Sequence, residues 1–281
     1  MEPMQNKLAK ESINPISDSN YTNYFLEKTR RFFEENEIPF NWDYEIGAIL
    51  KAVEKYSSGK KVLDMGCGVG TLLLALNREG FVPSGIDFDP VQISTAKQIA
   101  EKYGGENIDF KVGKIEERVF PDGSFDIVTS KDVAEHLPDK ELEKYLLAGH
   151  SYLRKGGSLV IFTKPTRFSY LFEKEKIGLL LPFVFLNKEK LENYLNFLDR
   201  WIPKIYKKIS GKFMFNTWQE PPPGHCNCPD VNLFPNKVTN AGFKIIYYKT
   251  WINPRQRYHR LICKLFPYDF IRRNILLVAQ K

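Results

Sequence analysis

Cysteine is scarce in this chain. Its 281 residues include four, Cys67, Cys226, Cys228 and Cys263, too few and too scattered for a disulfide framework. A reducing compartment is therefore expected. Long apolar runs are also missing: the longest, Ile177 to Leu186, is about half the ~20 residues that a membrane-spanning helix requires. The opening residues, Met1-Glu2-Pro3-Met4-Gln5-Asn6-Lys7, form no apolar signal-peptide core, so secretion is not expected. The expected location is the cytoplasm, free or peripheral at a membrane. No internal repeat is apparent. Positive charge and aromatic rings are abundant instead: net charge is +7 and aromatics make up 14%, concentrated after residue 160. That balance favours an anionic partner, whether nucleic acid, a lipid surface or an acidic substrate. With 43% hydrophobic residues the chain can bury a real core, which excludes disorder as the default class.

From Lys61 onward, strand and helix patterns alternate. Strands are expected at Val62–Met65, Val82–Asp87, Ile108–Val112, Phe125–Thr129 and Ser158–Thr163. Helices are expected at Gly70–Arg78, Pro90–Tyr103 and Asp139–Leu153, after two N-terminal ones at Tyr21–Glu37 and Asp43–Tyr56. Asp89-Pro90 reads as an N-cap followed by proline in the first turn. Such alternation predicts a parallel sheet with helices on both faces. Residues 164–224 then lose the strand rhythm and read as a helical insertion ending in Pro221-Pro222-Pro223-Gly224. The rhythm returns with a helix over Val231–Ala241 and strands at Phe243–Thr250 and Ile275–Ala279.

The most informative segment is Lys61-Val62-Leu63-Asp64-Met65-Gly66-Cys67-Gly68-Val69-Gly70. A glycine-rich turn between strand and helix lets the backbone approach a ligand closely. A dinucleotide fingerprint would read Gly-x-Gly-x-x-Gly and leave room for a pyrophosphate at the helix N-terminus. Here the third glycine comes one residue early, and Asp64 stands two positions before the first. A carboxylate there would repel a diphosphate and suits a cationic, phosphate-free ligand, which S-adenosylmethionine is.

Three further segments follow in order: Gly85-Ile86-Asp87-Phe88-Asp89, then Phe120 to Val128 leading into Glu135-His136-Leu137, and then Leu153-Arg154-Lys155-Gly156-Gly157-Ser158-Leu159-Val160-Ile161. Together with the glycine turn they resemble the class I S-adenosylmethionine-dependent methyltransferases, and in particular the small-molecule group that includes quinone-pathway enzymes. The likeness covers roughly residues 45–165 and returns at Ala241-Gly242-Phe243 and the final strand. It implies an α/β, Rossmann-like doubly wound sheet of seven strands, the last antiparallel. N-terminal helices would precede it, and a helical insertion would separate strands five and six. Four regions follow: an arm and helix (1–45), a co-substrate-binding core (46–165), an aromatic cap (166–230) and completion of the sheet (231–281). The resemblance implies that Asp87 accepts the ribose hydroxyls, Phe88 packs on the adenine and Asp64 orients the methionine end. Asp64 can equally tie down the glycine turn by hydrogen bonds. Gly66, Cys67, Gly68 and Lys131 complete the set. Where many relatives carry an acidic residue for the adenine amino group, this chain has Lys114, a donor only. The backbone of Lys114 and Ile115 is left to address the adenine edge.

Asp132, Glu135 and His136 stand at i, i+3 and i+4, which share one face of a helical turn. Asp132 and His136 are candidate catalytic residues. A divalent cation on this trio is the less favoured reading, since hard cations usually need more oxygen ligands. His225 before the last helix is either a general base or a loop anchor. His225-Cys226-x-Cys228 is spaced too tightly for a usual zinc site. Ile177 to Leu186 and the basic, aromatic stretch Lys188–Lys212, with a second at Lys249–Arg273, suit an anionic membrane surface or single-stranded nucleic acid. A cap core with a solvated lysine face is the plainer reading. Taken together, these readings point to methyl transfer to a small hydrophobic or lipid-linked acceptor. The alternatives are an RNA methyltransferase and a non-catalytic ligand-binding module of the same fold. Acceptor, methylated atom and oligomeric state stay open.

Overall fold

The structure is a computed structural model. It describes residues 27, 29–31, 33–34, 42–114, 117–164, 166, 187–210, 228–252, 264, 268–269, 272 and 274–281. Helix α1 (Trp42–Tyr56) leads into β1 (Lys61–Met65), α2 (Thr71–Arg78), β2 (Val82–Asp87), α3 (Pro90–Tyr103) and β3 (Asp109–Val112). After these come β4 (Phe125–Lys131), a single 3-10 turn at Ala134–His136, α4 (Asp139–Tyr152) and β5 (Leu153–Thr163). Helix α5 (Lys188–Ser210), α6 (Phe234–Asn240), β6 (Lys244–Trp251) and β7 (Asn274–Gln280) complete the order.

The strands form one sheet of order β3-β2-β1-β4-β5-β7-β6, with β7 antiparallel to both its neighbours. This is the expected seven-stranded doubly wound sheet with an antiparallel last strand. The strand order reverses between β1 and β4, which are parallel with Asp64 opposite Thr129. Ligands bind outside the carboxyl ends of strands at such a switch point. Side chains alternate across the sheet. Val62 and Ile127 join α1, α2 and α3 in one core layer, while Leu63, Met65 and Val128 join α4, α5 and α6 in the other. Burial on both faces explains why β4 is buried from Phe125 to Ser130, as parallel strands between helix layers are.

Two boundaries differ most from expectation. Strand β5 begins at Leu153, directly after α4, because Leu153 pairs with Phe125 before the register shifts to Ser158 opposite Ile127. Gly156, at φ 78, absorbs that excursion. Helix α6 starts three residues late because the Asp230 carboxylate accepts from the Asn232 and Leu233 N–H groups and holds 231–233 as a turn. In the insertion, α5 buries Leu191, Leu195 and Leu198, an i, i+4, i+7 stripe docked on the second core layer. The apolar run 177–186 lies outside the described residues, as do His225, Cys226 and Ile115. No helix of the described residues is long and apolar enough to cross a membrane.

Candidate active site

The glycine turn is shaped by three left-handed glycines, Gly66 (φ 78), Gly68 (φ 51) and Gly70 (φ 77). Any L side chain is strained there. The turn is fastened to β2: the Gly66 and Cys67 N–H groups donate to the Ile86 carbonyl at 2.8 and 3.1 Å. Asp87 finishes the fastening. Its Oδ2 accepts from the Gly68 N–H at 2.9 Å and its Oδ1 from the Asp89 N–H at 3.0 Å. Asp89 in turn caps α3 by accepting from Val91 N–H. Asp87 is 8% exposed, and burial pushes its carboxyl above the ordinary range. A carboxylate has about four lone-pair sites, so acceptor capacity is left for a ligand. Among the described residues, the side of Gly68 that a Cβ would occupy meets nothing nearer than Gln92 Oε1 at 3.9 Å. The equivalent side of Gly66 is closed by Val133, whose Cγ2 would lie 2.6 Å away. The open cradle therefore lies at Gly68, beside Asp87.

Asp64 does not tie the turn. It points to the α1–α3 side of the sheet, is 2% exposed and accepts from Thr129 Oγ1 of β4 at 2.8 Å. Burial pushes its carboxyl up to about 7. The job given to Asp64 as an alternative, holding the turn, is performed by Asp87 and the Ile86 carbonyl. Cys67 is buried, and its thiol is pushed up by that burial and by the nearby Asp87 and Asp64 charges. Phe88, next to Asp87, is a large ring left 54% exposed. The Lys114 N–H is already engaged, donating to Glu117 Oε2 at 3.0 Å. Within this structure the adenine edge gains no donor from it.

The ends of β4 and β5 carry a charged cluster that sequence reasoning saw only in part. Buried Glu45 from α1 receives Lys164 from the end of β5, and Lys131 from the end of β4 at 3.5 Å. Both lysines also face Asp132, Lys131 in direct contact and Lys164 at 3.8 Å. Burial disfavours the Lys131 charge, but Asp132 and Glu45 outweigh it and hold the ammonium above the ordinary lysine range. Glu135, 1% exposed, accepts from Thr163 Oγ1 at 2.7 Å. Burial and then the Asp132 charge push Glu135 up to about 8. His136 Nε2 lies 4.0 Å from Glu135 Oε1, and its side chain is 34% exposed.

The shared helical face expected for Asp132, Glu135 and His136 does not form. Asp132 adopts φ 54 and precedes the 3-10 turn, so its carboxylate swings to the lysines while Glu135 turns to β5. Among the described residues no group of three or more His, Cys, Asp or Glu is placed to hold a metal ion. Glu45, Lys164 and Thr129 had no signal in the sequence. Neither had Tyr145 of α4, whose hydroxyl bridges Met65 carbonyl (2.8 Å) and Ser130 Oγ (2.6 Å) at the ends of β1 and β4. Thr29 is likewise fully buried against Thr71 at the start of α2 (2.9 Å).

A reversed-order parallel sheet with its glycine turn, an acidic residue ending β2 and a cradle at the switch point defines a Rossmann-like nucleoside-binding fold. Its antiparallel β7, inserted between β5 and β6, is the methyltransferase variant. Residues 56–174 match a family model described as a methyltransferase domain. That segment, less than half of the chain, is thus similar to methyltransferase domains. A ubiquinone biosynthesis O-methyltransferase of Acinetobacter baylyi is 33% identical over 147 residues, 51% of this chain and 57% of that protein. A probable chloroplastic tocopherol O-methyltransferase of Oryza sativa subsp. japonica is 41% identical over 83 residues, 29% of this chain and 23% of that one. The matches thus span well under two thirds of either relative. Among solved structures, a Haemonchus contortus phosphoethanolamine N-methyltransferase in complex with S-adenosyl-L-methionine superposes with a TM-score of 0.56. It is 16% identical, and the match covers 95% of this chain and 59% of that one.

The residues present fit this co-substrate. Asp87 keeps acceptor capacity for ribose hydroxyls beside the backbone at Gly68, which is open among the described residues.

Proposed function

We propose that the chain transfers a methyl group from S-adenosylmethionine to a small-molecule acceptor held over the carboxyl ends of β1 and β4. The observation that carries this is Asp87, which bridges Gly68 and Asp89 N–H groups and presents its remaining lone pairs at the open cradle. The bound co-substrate supplies an electrophilic methyl on a sulfonium. Asp87 receives the ribose hydroxyls and Phe88 covers the adenine. Asp64, Cys67 and Lys131 surround the methionine end from the strand tips. Most of the acceleration comes from holding two reactants in line. His136, partly exposed beside Glu135, passes the acceptor's proton to solvent; His225, outside the described residues, is the other candidate for that task. In this reading residues 46–165 carry the co-substrate, 166–230 enclose the acceptor and 231–281 complete the sheet.

A hydrophobic or lipid-linked acceptor is the preferred class, with work at the periphery of a cytoplasmic membrane. Support comes from the names of the two relatives, which are tocopherol and ubiquinone-pathway O-methyltransferases. It also comes from α5, whose Phe197 and Trp201 are 54% and 43% exposed with their rings 6.4 Å apart. Calorimetry with S-adenosylhomocysteine tests the co-substrate: no heat change and no thermal stabilisation at millimolar ligand would refute the reading. Flotation with anionic vesicles, set against an RNA gel shift, separates a membrane-facing enzyme from an RNA methyltransferase. Salt-sensitive RNA binding without flotation would favour RNA.

A further inference from the structure

Helix α5 arranges its residue types in stripes, and only one of them is explained by packing against the core. Leu191, Leu195 and Leu198 form its buried flank, docked on the layer that holds α4 and α6. Lys190, Asn193, Phe197, Trp201, Lys204 and Lys208 stand three or four apart in sequence, which sets them on a second face. That face lies roughly 100° around the helix from the leucines. Glu192 and Asp199 fall on the side opposite the two aromatics. Beyond Asp199 the helix has Arg200, Lys204, Lys207 and Lys208 and no acid.

Two large rings stand open on the second face. Phe197 is 54% and Trp201 43% exposed, with ring centroids 6.4 Å apart. Lys190 and Asn193 are exposed on the same face. A single exposed ring is ordinary. Two paired rings in a stripe with lysine positions and no carboxylate suit an apolar layer lying behind negative charge. An anionic bilayer has that order, with phosphates outside and acyl chains within. Lysine stems can lie along apolar surface while their ammonium groups stay at the phosphates. Single-stranded nucleic acid also attracts lysines and rings, but its binding sites are grooves. This stripe is the convex flank of one helix, about 27 Å long from Lys190 to Lys208 at 1.5 Å per residue.

We propose that α5 is an interfacial helix that docks on an anionic lipid surface through this stripe. Phe197 and Trp201 enter the head-group layer, and the lysines at 190, 204 and 208 supply the countercharge. The proposal rests on the membrane-periphery reading and deepens it by naming the element that makes the contact. The leucine flank stays in the protein core, and the acids at 192 and 199 are kept away from the lipid phosphates. Region 166–230 encloses the acceptor in the methyl-transfer reading. Docking through α5 would set that region against the phase in which a lipid-linked acceptor is dissolved.

The test is flotation of the full chain with vesicles of phosphatidylcholine and phosphatidylglycerol. Binding should be strong there, weak on phosphatidylcholine alone, and reduced by added salt. Lys204→Ala with Lys208→Ala should weaken it about 25-fold, at about fivefold for each charge near the surface. Phe197→Ser with Trp201→Ser should weaken it at least ~tenfold. Thermal melts check that these variants fold. Brominated lipid should also quench the wild type more than Trp201→Phe, a readout that needs no disruptive change. Equal quenching of the two, or binding by either double variant within about twofold of wild type, overturns the proposal even if the chain floats by another surface. Failure to float at all overturns both the proposal and the membrane reading. Single-stranded RNA binding lost in the same variants, without flotation, would overturn it in favour of nucleic acid. A dimer that they dissociate would overturn it in favour of a second copy. Titration with S-adenosylhomocysteine is read separately. Binding without flotation leaves methyl transfer standing, and α5-dependent flotation without binding leaves only the docking.

Discussion

Replacing Asp87 by Asn would measure how far one carboxylate both builds the co-substrate site and occupies it. Its two oxygens accept backbone N–H groups from Gly68 and Asp89 at 2.9 and 3.0 Å. An asparagine can serve one of them with its carbonyl, and its NH2 then faces the other donor. Losing one hydrogen bond to a charged acceptor and leaving a buried N–H unpaired costs about 2–3 kcal/mol. For a chain of this size that lowers the melting temperature by about 4–10 °C. The loss of one ribose hydroxyl contact weakens S-adenosylhomocysteine a further ~10–150-fold, on 1.5–3 kcal/mol for such a bond. Scanning calorimetry reads the first effect. Isothermal titration, run well below the variant's melting point, reads the second. An S-adenosylhomocysteine analogue lacking both ribose hydroxyls separates the two roles. The variant should lose affinity for the natural ligand and almost none for the analogue. Equal losses for both would mean that Asp87 only fastens the turn. A natural-ligand affinity within about threefold of wild type would refute the ribose role outright.

Gly66→Ala should destabilise the chain by about 3 kcal/mol, from left-handed strain plus overpacking against Val133, whose Cγ2 would lie 2.6 Å from the new methyl. Adding Val133→Ala should recover the steric part but not the strain, which urea denaturation of the single and double variants would show. Gly68→Ala meets no neighbour within 3.4 Å among the described residues, so it should cost only about 1 kcal/mol of stability. Its methyl fills the open cradle, however, and titration should show S-adenosylhomocysteine binding weakened at least ~tenfold. Glu135 supplies a pH test. Its carboxyl is raised from 4.5 to about 8, so between those values the folded state binds more protons than the unfolded. Its stabilising contribution is full below pH 4.5 and falls away as pH rises toward 8. Glu135→Gln should therefore flatten the fall in melting temperature between pH 5 and 8; a slope identical to wild type would contradict the buried, protonated Glu135.

Much of the fold was legible because its signals are local. Strand and helix periods, the glycine spacing in Gly66-Cys67-Gly68-Val69-Gly70 and the Asp89-Pro90 cap each operate within a few residues. So does the acidic end of β2. Boundaries failed where a non-local pairing won, as when Leu153 joined Phe125 and lengthened β5. Asp87 ends β2, as the strand pattern placed it. The behaviour of Asp64 and Asp132 was not legible, because helical spacing says nothing once a residue turns left-handed or a strand side chain finds a partner on the next strand.

The sequence by itself determined the order of strands and helices, the glycine turn and the carboxylate that closes β2. The tertiary structure decided which charges meet. Asp64 finds Thr129 across 65 positions, and Glu45 finds Lys164 across 119. No short-range period encodes such pairs; they exist because a parallel sheet gathers its strand ends at one edge and lays α1 beside them. There, desolvation makes each unmatched polar atom costly, so Glu45 is paired with Lys131 and Lys164, and Asp64 with Thr129.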